Sequence, residues 1–337
     1  NIVAEECRAV RENVGLIDLT SFSKYEISGK DAEKFLDRIC ANKIPKRDGE
    51  IALVHMLTNL GGIECEATIT RLEGSIFYLL SASVAEIHDY DWIIQNILPE
   101  EEVIVQNVTD NFGVLSLNGP KSRDVISKIT DSSLSNESFG WMNYKSIDIL
   151  GITVRALRVS YVGELGWELH HPIEKMEALY ESLMEAGTEY GIVNFGTYAM
   201  NSLRMEKAYK GWGSELTTEI TPMEAKLNRF VDFSKSFVGR EATLSRKLIG
   251  ISTILVYVSI NSENADCLGN EPVLSNGEII GVTTSGAYGH SVGKSLAFAY
   301  VQPKYSSPGS QFEIKILGKN QTATVLKEAA YDPKNLR

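Results

Sequence analysis

Apolar positions along this chain keep one rhythm for its first two-thirds and another for the rest. Ile2, Val3, Cys7 and Val10 recur at helical spacing, and Ala32, Phe35, Leu36 and Ile39 do so again after Gly29. Phe77 to Leu80 reads as a strand and Ala85 to Ile97 as a helix. Gly119-Pro120 opens another helix, with Val125, Ile126 and Ile129 on one face. Strands are expected around 151–161 and 166–171, and helices at about 173–190 and 196–208. Beyond Gly239-Arg240-Glu241 short β-rich runs take over: Ser252–Ile260, Glu271–Ser275, Glu278–Thr284, Ser295–Val301, Gln311–Leu317 and Thr322–Leu326. Asn276-Gly277 between two of them is a two-residue hairpin signal. The pattern predicts an α+β region over 1–240 and a compact β domain, sandwich or barrel, over 241–337.

At 337 residues there is room for two or three packed units. The hydrophobic fraction of 43% and charged fraction of 23% are those of an ordinary globular protein, so the pattern stands. A net charge of −11 argues against nucleic acid or an anionic membrane as the main partner. Cys7, Cys40, Cys65 and Cys267 form no C-x-x-C pair, which fits free thiols in a reducing compartment: the cytoplasm, or the mitochondrial matrix of a eukaryote. His55, His88, His170, His171 and His290 show no metal-ligand spacing. No apolar run is long enough to span a bilayer. The chain starts at Asn1 inside an apparent helix, which leads us to expect a segment upstream.

Several motifs fail on inspection. Gly289 to Ser295 ends like a phosphate-binding loop but has Tyr288 where the spacing needs glycine, and it lies between two predicted strands. No dinucleotide fingerprint and no G-x-S-x-G elbow occurs. Two other segments are more informative. Tyr161-Val162-Gly163-Glu164-Leu165-Gly166-Trp167-Glu168 reads as a tight turn between strands, with carboxylates in or beside the bend. Gly61-Gly62 leads into an alternating run in which Glu64, Glu66 and Thr68 share one face and Ile63, Cys65, Ala67 and Ile69 the other. Taken singly, each is equally a surface hairpin or a half-buried strand.

Together they resemble the glycine-cleavage T-protein (aminomethyltransferase) superfamily, over about Glu5 to Asp332. Phe195 to Lys207, Trp212 to Thr217, Thr221 to Ala225 and Tyr288 to Ala297 continue the likeness. The resemblance implies a cloverleaf of two interlocked α+β units and a C-terminal β-barrel around a folate channel. It implies that Tyr161 and Glu168 hold a pterin ring, whose N–H edge a carboxylate can accept in bidentate fashion. It places Glu66 where the family has an acid facing the folate nitrogens. Tyr209 and Trp212 are further candidates for stacking on the ligand.

Departures refine the likeness. T-proteins proper tend to have Asp-Asp where this chain has Cys65-Glu66, Arg at Met200 and Asn at Ala82. Glu66 instead resembles the folate half of dimethylglycine and sarcosine dehydrogenases, which a flavin domain precedes. The implied activity is tetrahydrofolate-dependent capture of a formaldehyde-level carbon from a methylated amine, giving 5,10-methylenetetrahydrofolate. FAD would enter only through an upstream or partner domain. The alternatives are a glycine-cleavage aminomethyltransferase, a demethylase of another methylated osmolyte, and a non-catalytic folate-binding or targeting module. Arg204 is expected in an ion pair with Glu206 or Glu168, and Lys294 or Arg240 to attract an anionic ligand tail.

Overall fold

A computed structural model describes residues 2–262 and 265–336. Asn1, the expected start within a helix, lies outside them. The chain opens with α1 (Ile2–Glu12) and β1 (Gly15–Asp18). It then runs through β2 (Ser23–Ser28), α2 (Ala32–Ile39), β3 (Ile51–Leu57), β4 (Ile63–Arg71), β5 (Phe77–Ser81), α3 (Glu86–Gln95) and β6 (Ile104–Asn107). Next come β7 (Phe112–Asn118), α4 (Ser122–Ser127), β8 (Tyr144–Ile149), β9 (Ile152–Leu157), β10 (Gly166–Pro172), α5 (Met176–Gly187), β11 (Val193–Asn194) and α6 (Thr197–Glu206). Strands β2 to β6 form a five-stranded sheet in the order β3-β4-β5-β2-β6. The six-stranded sheet, β11-β1-β7-β10-β9-β8, takes β1 from before that unit and the rest from after it. One α+β unit is thus inserted into the other, which gives the expected interlocking a concrete form.

Each sheet turns one face to helices. Phe35, Leu36 and Ile39 of α2 pack on Tyr25, Val54, Ile69 and Leu79. Trp167 and Leu169 pack with Val125 and Ile126 of α4 and Leu179 and Leu183 of α5. Between the units, Ile51, Tyr78 and Leu80 meet Leu157 and Val159. Burial on this scale is the main force holding the two together, at roughly 25 cal/mol per Å² of apolar surface removed from water.

Helix α6 is the hub. Ala199 and Leu203 pack on Cys7 and Val10 of α1, while Met205 joins Leu255, Leu296, Phe298 and Tyr300 of the β domain. That domain follows α7 (Arg240–Ile249) and contains β12 (Ile254–Ile260), β13 (Pro272–Ser275), β14 (Glu278–Gly289), β15 (Lys294–Val301), β16 (Gln311–Ile316) and β17 (Lys319–Val325). They close a barrel in the order β12-β15-β14-β13-β16-β17, so closure leaves no open edge. Asn276 and Gly277 turn the β13–β14 hairpin with φ of 51° and 82°, the two left-handed residues a type I′ turn needs.

Two expectations need correction, and one strand was not foreseen. The strand expected to reach Tyr161 ends at Leu157, so 158–165 is a loop and not part of a tight hairpin. Its backbone is drawn away from the sheet by contacts described below. The helix after Gly119-Pro120 ends at Ser127, although Ile129 still packs on the core. Strand β3, with apolar side chains on both faces, has no period-2 signature and went unread. Among the described residues no helix is long and apolar enough to cross a membrane, and no three His, Cys, Asp or Glu side chains are grouped to hold a metal.

Candidate functional site

Glu66 lies on β4, directly opposite His55 of β3. Its Oε2 is 2.8 Å from His55 Nε2. The histidine side chain is 1% exposed and the glutamate 19%. Glu64, on the same face, is engaged elsewhere: Oε1 is 2.7 Å from Nε2 of His88, whose Nδ1 is 2.9 Å from Asp89. Burial draws the His88 imidazole down, but the Asp89 and Glu64 carboxylates prevail and raise it above its ordinary value.

The Gly61-Gly62 pair has a reason beyond the turn. A Cβ on Gly62 would stand 1.7 Å from the carbonyl oxygen of Thr218, so only glycine lets the 209–237 segment approach. That segment then straps across β3 and β4, with Ile63 donating to Thr217 and Ile220 carbonyls at 3.1 and 2.9 Å. Leu216, Ala225 and Phe237 bury against Leu57 and Ile63. Trp212 is on this strap. Its indole Nε1 donates to the Glu64 carbonyl at 2.9 Å, and its ring lies 6.1 Å from that of His88.

Tyr161 projects from the 158–165 loop. Its hydroxyl donates to the Lys210 carbonyl at 2.8 Å, and its ring stacks on Tyr209 at 6.1 Å and 28°. The loop is clamped from behind by Arg11 of α1, which donates to the Val162 carbonyl at 2.6 Å, to Glu164 at 2.9 Å, to the Leu203 carbonyl at 3.1 Å and to Glu206 at 2.8 Å. Glu164 is therefore turned inward. Gly163, at φ 76°, packs against the Lys207 stem.

Electrostatics tie Tyr161 to Glu66. Burial pushes the Tyr161 phenol well up, with Arg204 opposing and Glu66 and Glu215 adding to the rise. Burial lowers the Lys210 ammonium against the pull of Glu66 and Glu215, with Arg229 and Lys226 adding to the fall. Yet Tyr161 is 37% exposed. The space beside this exposed ring and the partly exposed Glu66 carboxylate is the candidate recess.

Glu168 is on β10, 19% exposed, with Oε2 at 3.3 Å from Nε2 of His170. His170 is buried, and its Nδ1 is 3.1 Å from the Tyr78 hydroxyl. The bonding pattern sets the tautomer: Tyr78 O–H donates to Nδ1, and Nε2–H donates to the carboxylate. Burial lowers the His170 imidazole, ahead of Glu168, which opposes the fall. The Arg155 guanidinium lies 4.9 Å from the Tyr78 ring centroid and forms an ion pair with Glu26 at 2.7 Å.

The structure thus gathers Glu66, Tyr161 and Tyr209 with Lys210, sets Trp212 against the strand that carries Glu66, and gives Glu168 its own histidine. Sequence reasoning missed His55, His170 and Lys210. His170 was readable two positions from Glu168, on the same face. His55 was readable only once β3 and β4 are seen as a hairpin across Gly61-Gly62. Arg204 pairs with neither expected acid. It bonds Glu215 at 3.2 Å, and Glu215 also accepts from Gly211 N, Thr284 and Ser285, fastening the strap to the barrel. Arg240 pairs with neighbouring Glu241. A hollow of about 390 Å³ near Leu60 and Ile249, and a groove of about 660 Å³ along Asp18, Glu177 and Tyr180, involve none of the gathered residues.

Comparison with known proteins agrees with this architecture. Residues 1–235 match the GCVT N-terminal domain, and 254–332 the glycine cleavage T-protein C-terminal barrel domain. The chain is 44% identical over 329 residues to a mitochondrial dimethylglycine dehydrogenase of Rattus norvegicus, covering 97% of this chain and 38% of that relative. It therefore spans about two-fifths of that protein's length. It is 31% identical to an aminomethyltransferase of Caldanaerobacter subterraneus subsp. tengcongensis, covering 98% of this chain and 88% of the relative. The crystal structure of glycine cleavage system aminomethyltransferase T from Bartonella henselae, 24% identical, shares the fold with a TM-score of 0.88, over 98% of this chain and 90% of that one. An inserted pair of α+β units, a strap and a closed barrel, matched in both parts by the corresponding domain models, place this chain in the glycine cleavage T-protein family.

Proposed function

We propose that the chain binds tetrahydrofolate and assists capture of a formaldehyde-level carbon derived from a methylated amine of the dimethylglycine or sarcosine type, giving 5,10-methylenetetrahydrofolate. The observation that carries this reading is the stacked pair of Tyr161 and Tyr209, with the Tyr161 phenol bonded to the strap at Lys210, where that strap crosses the strand on which His55 holds Glu66. The residues fit the ligand. Glu168 offers a partly open carboxylate with one oxygen on His170, leaving acceptor capacity for N–H donors. The stacked Tyr161 and Tyr209 offer aromatic faces. Trp212 would bound the same space.

Bound tetrahydrofolate supplies the nucleophilic nitrogens. The chain's part is orientation and proton handling. Glu168 and Tyr161 fix the ligand, which turns a bimolecular encounter into an effectively unimolecular one. Glu66 takes up the proton released as the carbon–nitrogen bond forms. Lys210, kept half-buried beside Glu66, balances its charge when deprotonated. Met200, where T-proteins proper tend to carry Arg, favours an amine donor over glycine-cleavage chemistry. Oxidation of the amine falls to a flavin domain or partner, and the compartment is the cytoplasm or the mitochondrial matrix. Glu66→Gln tests the reading. Folate affinity should stay within a few-fold, while the rate above the uncatalysed background falls by roughly 10²–10⁴. An unchanged rate would favour a non-catalytic folate-binding protein instead.

A further inference from the structure

His55 has one hydrogen-bonding outlet. Its Nε2 meets Glu66 at 2.8 Å, and its Nδ1 is buried with no partner. Placing the proton on Nδ1 would bury a donor without an acceptor and set a bare Nε2 against a carboxylate. The tautomer is therefore Nε2–H, donating to Glu66 Oε2. Phe230 of the strap packs edge-on to the imidazole at 5.6 Å and fixes its plane. Among the described residues Glu66 Oε1 has no hydrogen-bond partner.

We propose that His55 is a positioning residue for Glu66: it pins Oε2 and leaves Oε1 as the single oxygen presented to the recess. The inference rests on the reading of Glu66 as proton acceptor and deepens it. The physical need follows from side-chain length. A glutamate has one more rotatable bond than an aspartate, so a carboxylate held only at its Cα would sweep the recess rather than point into it. Direct cross-strand pairing in the β3–β4 register supplies the second attachment. Glu64, on the same face, is tied to His88 and is not a competitor for the ring. The other titratable groups that feel the Glu66 charge are Tyr161, Lys210 and its neighbour Cys65, which bonds Asp89 instead. None of the three forms a hydrogen bond to it, so none fixes its rotamer.

The test uses the full chain with His55→Leu and His55→Gln, the second keeping an N–H donor. Formation of 5,10-methylenetetrahydrofolate from formaldehyde and tetrahydrofolate is measured above background. His55→Leu should lower kcat by about 10–100-fold, the scale of a misplaced catalytic group, with KM for folate within a few-fold. His55→Gln should recover most of the loss. Equal kcat in wild type and His55→Leu, or a parallel loss of kcat and folate affinity in both variants, would overturn the inference. A second readout does not depend on turnover. Two-bond ¹H–¹⁵N spectra of the wild type should show His55 as the Nε2–H tautomer, and Glu66→Ala should move its Nε2 proton upfield. An Nδ1–H tautomer would overturn the proposal. Absence of any rate above background with these spectra as expected would sink the folate-transfer reading and leave the His55–Glu66 pairing standing.

Discussion

Replacing Arg11 by Met tests how the loop that carries Tyr161 is held. Arg11 is 8% exposed and donates to two carbonyls and two carboxylates. Its partners are deeply buried, Glu164 at 4% and Glu206 at 0%. Methionine fills much of the volume but takes from both acids the guanidinium that bonds them. Glu206 keeps one partner, because Oε1 accepts from Ser291 N at 2.6 Å. Glu164 keeps the Tyr331 hydroxyl and the more distant Lys207 charge, but burial already raises its carboxyl above the ordinary range, and Arg11 is the strongest of the groups pulling it back. Removing one side of a buried ion pair destabilises by about 3–5 kcal/mol. At about 2–4 °C per kcal/mol for large domains, the melting temperature should fall by roughly 10 °C. The pH dependence carries a sign. A carboxyl raised in the native state binds protons that the unfolded chain has released, so its native form loses stability as pH rises. Without Arg11 that rise is larger, so Arg11→Met should lie closest to wild type near pH 5 and furthest near pH 8. Glu164→Gln added to Arg11→Met should recover part of the loss. Calorimetric melts at both pH values check this. A variant within 1 kcal/mol of wild type at pH 8, or one that improves relative to wild type as pH rises, would refute the stranded-charge argument.

Other outcomes follow from particular contacts. Glu168→Gln should weaken tetrahydrofolate binding by about 1.5–3 kcal/mol, the scale of a charge-assisted hydrogen bond; equal affinities by titration calorimetry would remove Glu168 from the site. Gly62→Ala forces a Cβ onto the Thr218 carbonyl and should destabilise by about 3 kcal/mol, the upper end of overpacking, with disorder at Trp212 seen as a shifted fluorescence maximum. Burial lowers both His170 and His171, so their unfolded forms take up protons first as pH falls below about 6.5. Each should withdraw stability at up to about 1.4 kcal/mol per pH unit in that window, against His88, which acts in the opposite sense. His170→Asn should flatten the acid limb of a denaturation series, and an unchanged slope would count against this account.

The barrel was legible because short runs rich in β-formers follow one another, some alternating like β16 and some continuously apolar like β12 and β15, and Asn276-Gly277 marked one turn without ambiguity. Helices α2 and α5 were legible because their apolar stripes repeat at 3.6 residues. What stayed hidden was set by partners far away in sequence. The 158–165 run is rich in residues that favour strands, but Arg11, about 150 positions earlier, pulls its backbone off the sheet. Glu164 and Glu168 look alike in the sequence, yet one is consumed by Arg11 and the other remains open. The resemblance named Glu66 and Tyr161, but the histidine behind Glu66 depended on the register of a strand with no alternating signature. Trp212 is also more than a stacking candidate, because its indole N–H is spent on the Glu64 backbone.

Insertion of one unit into the other sets a timetable during synthesis. Strand β1 leaves the ribosome before the whole inserted unit, but its neighbours β7 and β11 come only after it. At about 5–20 residues per second, the interval from Asp18 to Val193 is on the order of ten to thirty seconds. The five-stranded unit has all its strands long before then and can close while α1 and β1 still wait. The N-terminal segment is thus exposed as a client for chaperones during that interval, and Cys7, fully buried at the end, is open to thiol reagents until then. Stalled nascent chains ending after β6 should show Cys7 labelling at the rate of a free thiol while Cys40 and Cys65 are already protected. Protection of Cys7 in those chains would mean that the waiting strand finds another partner first.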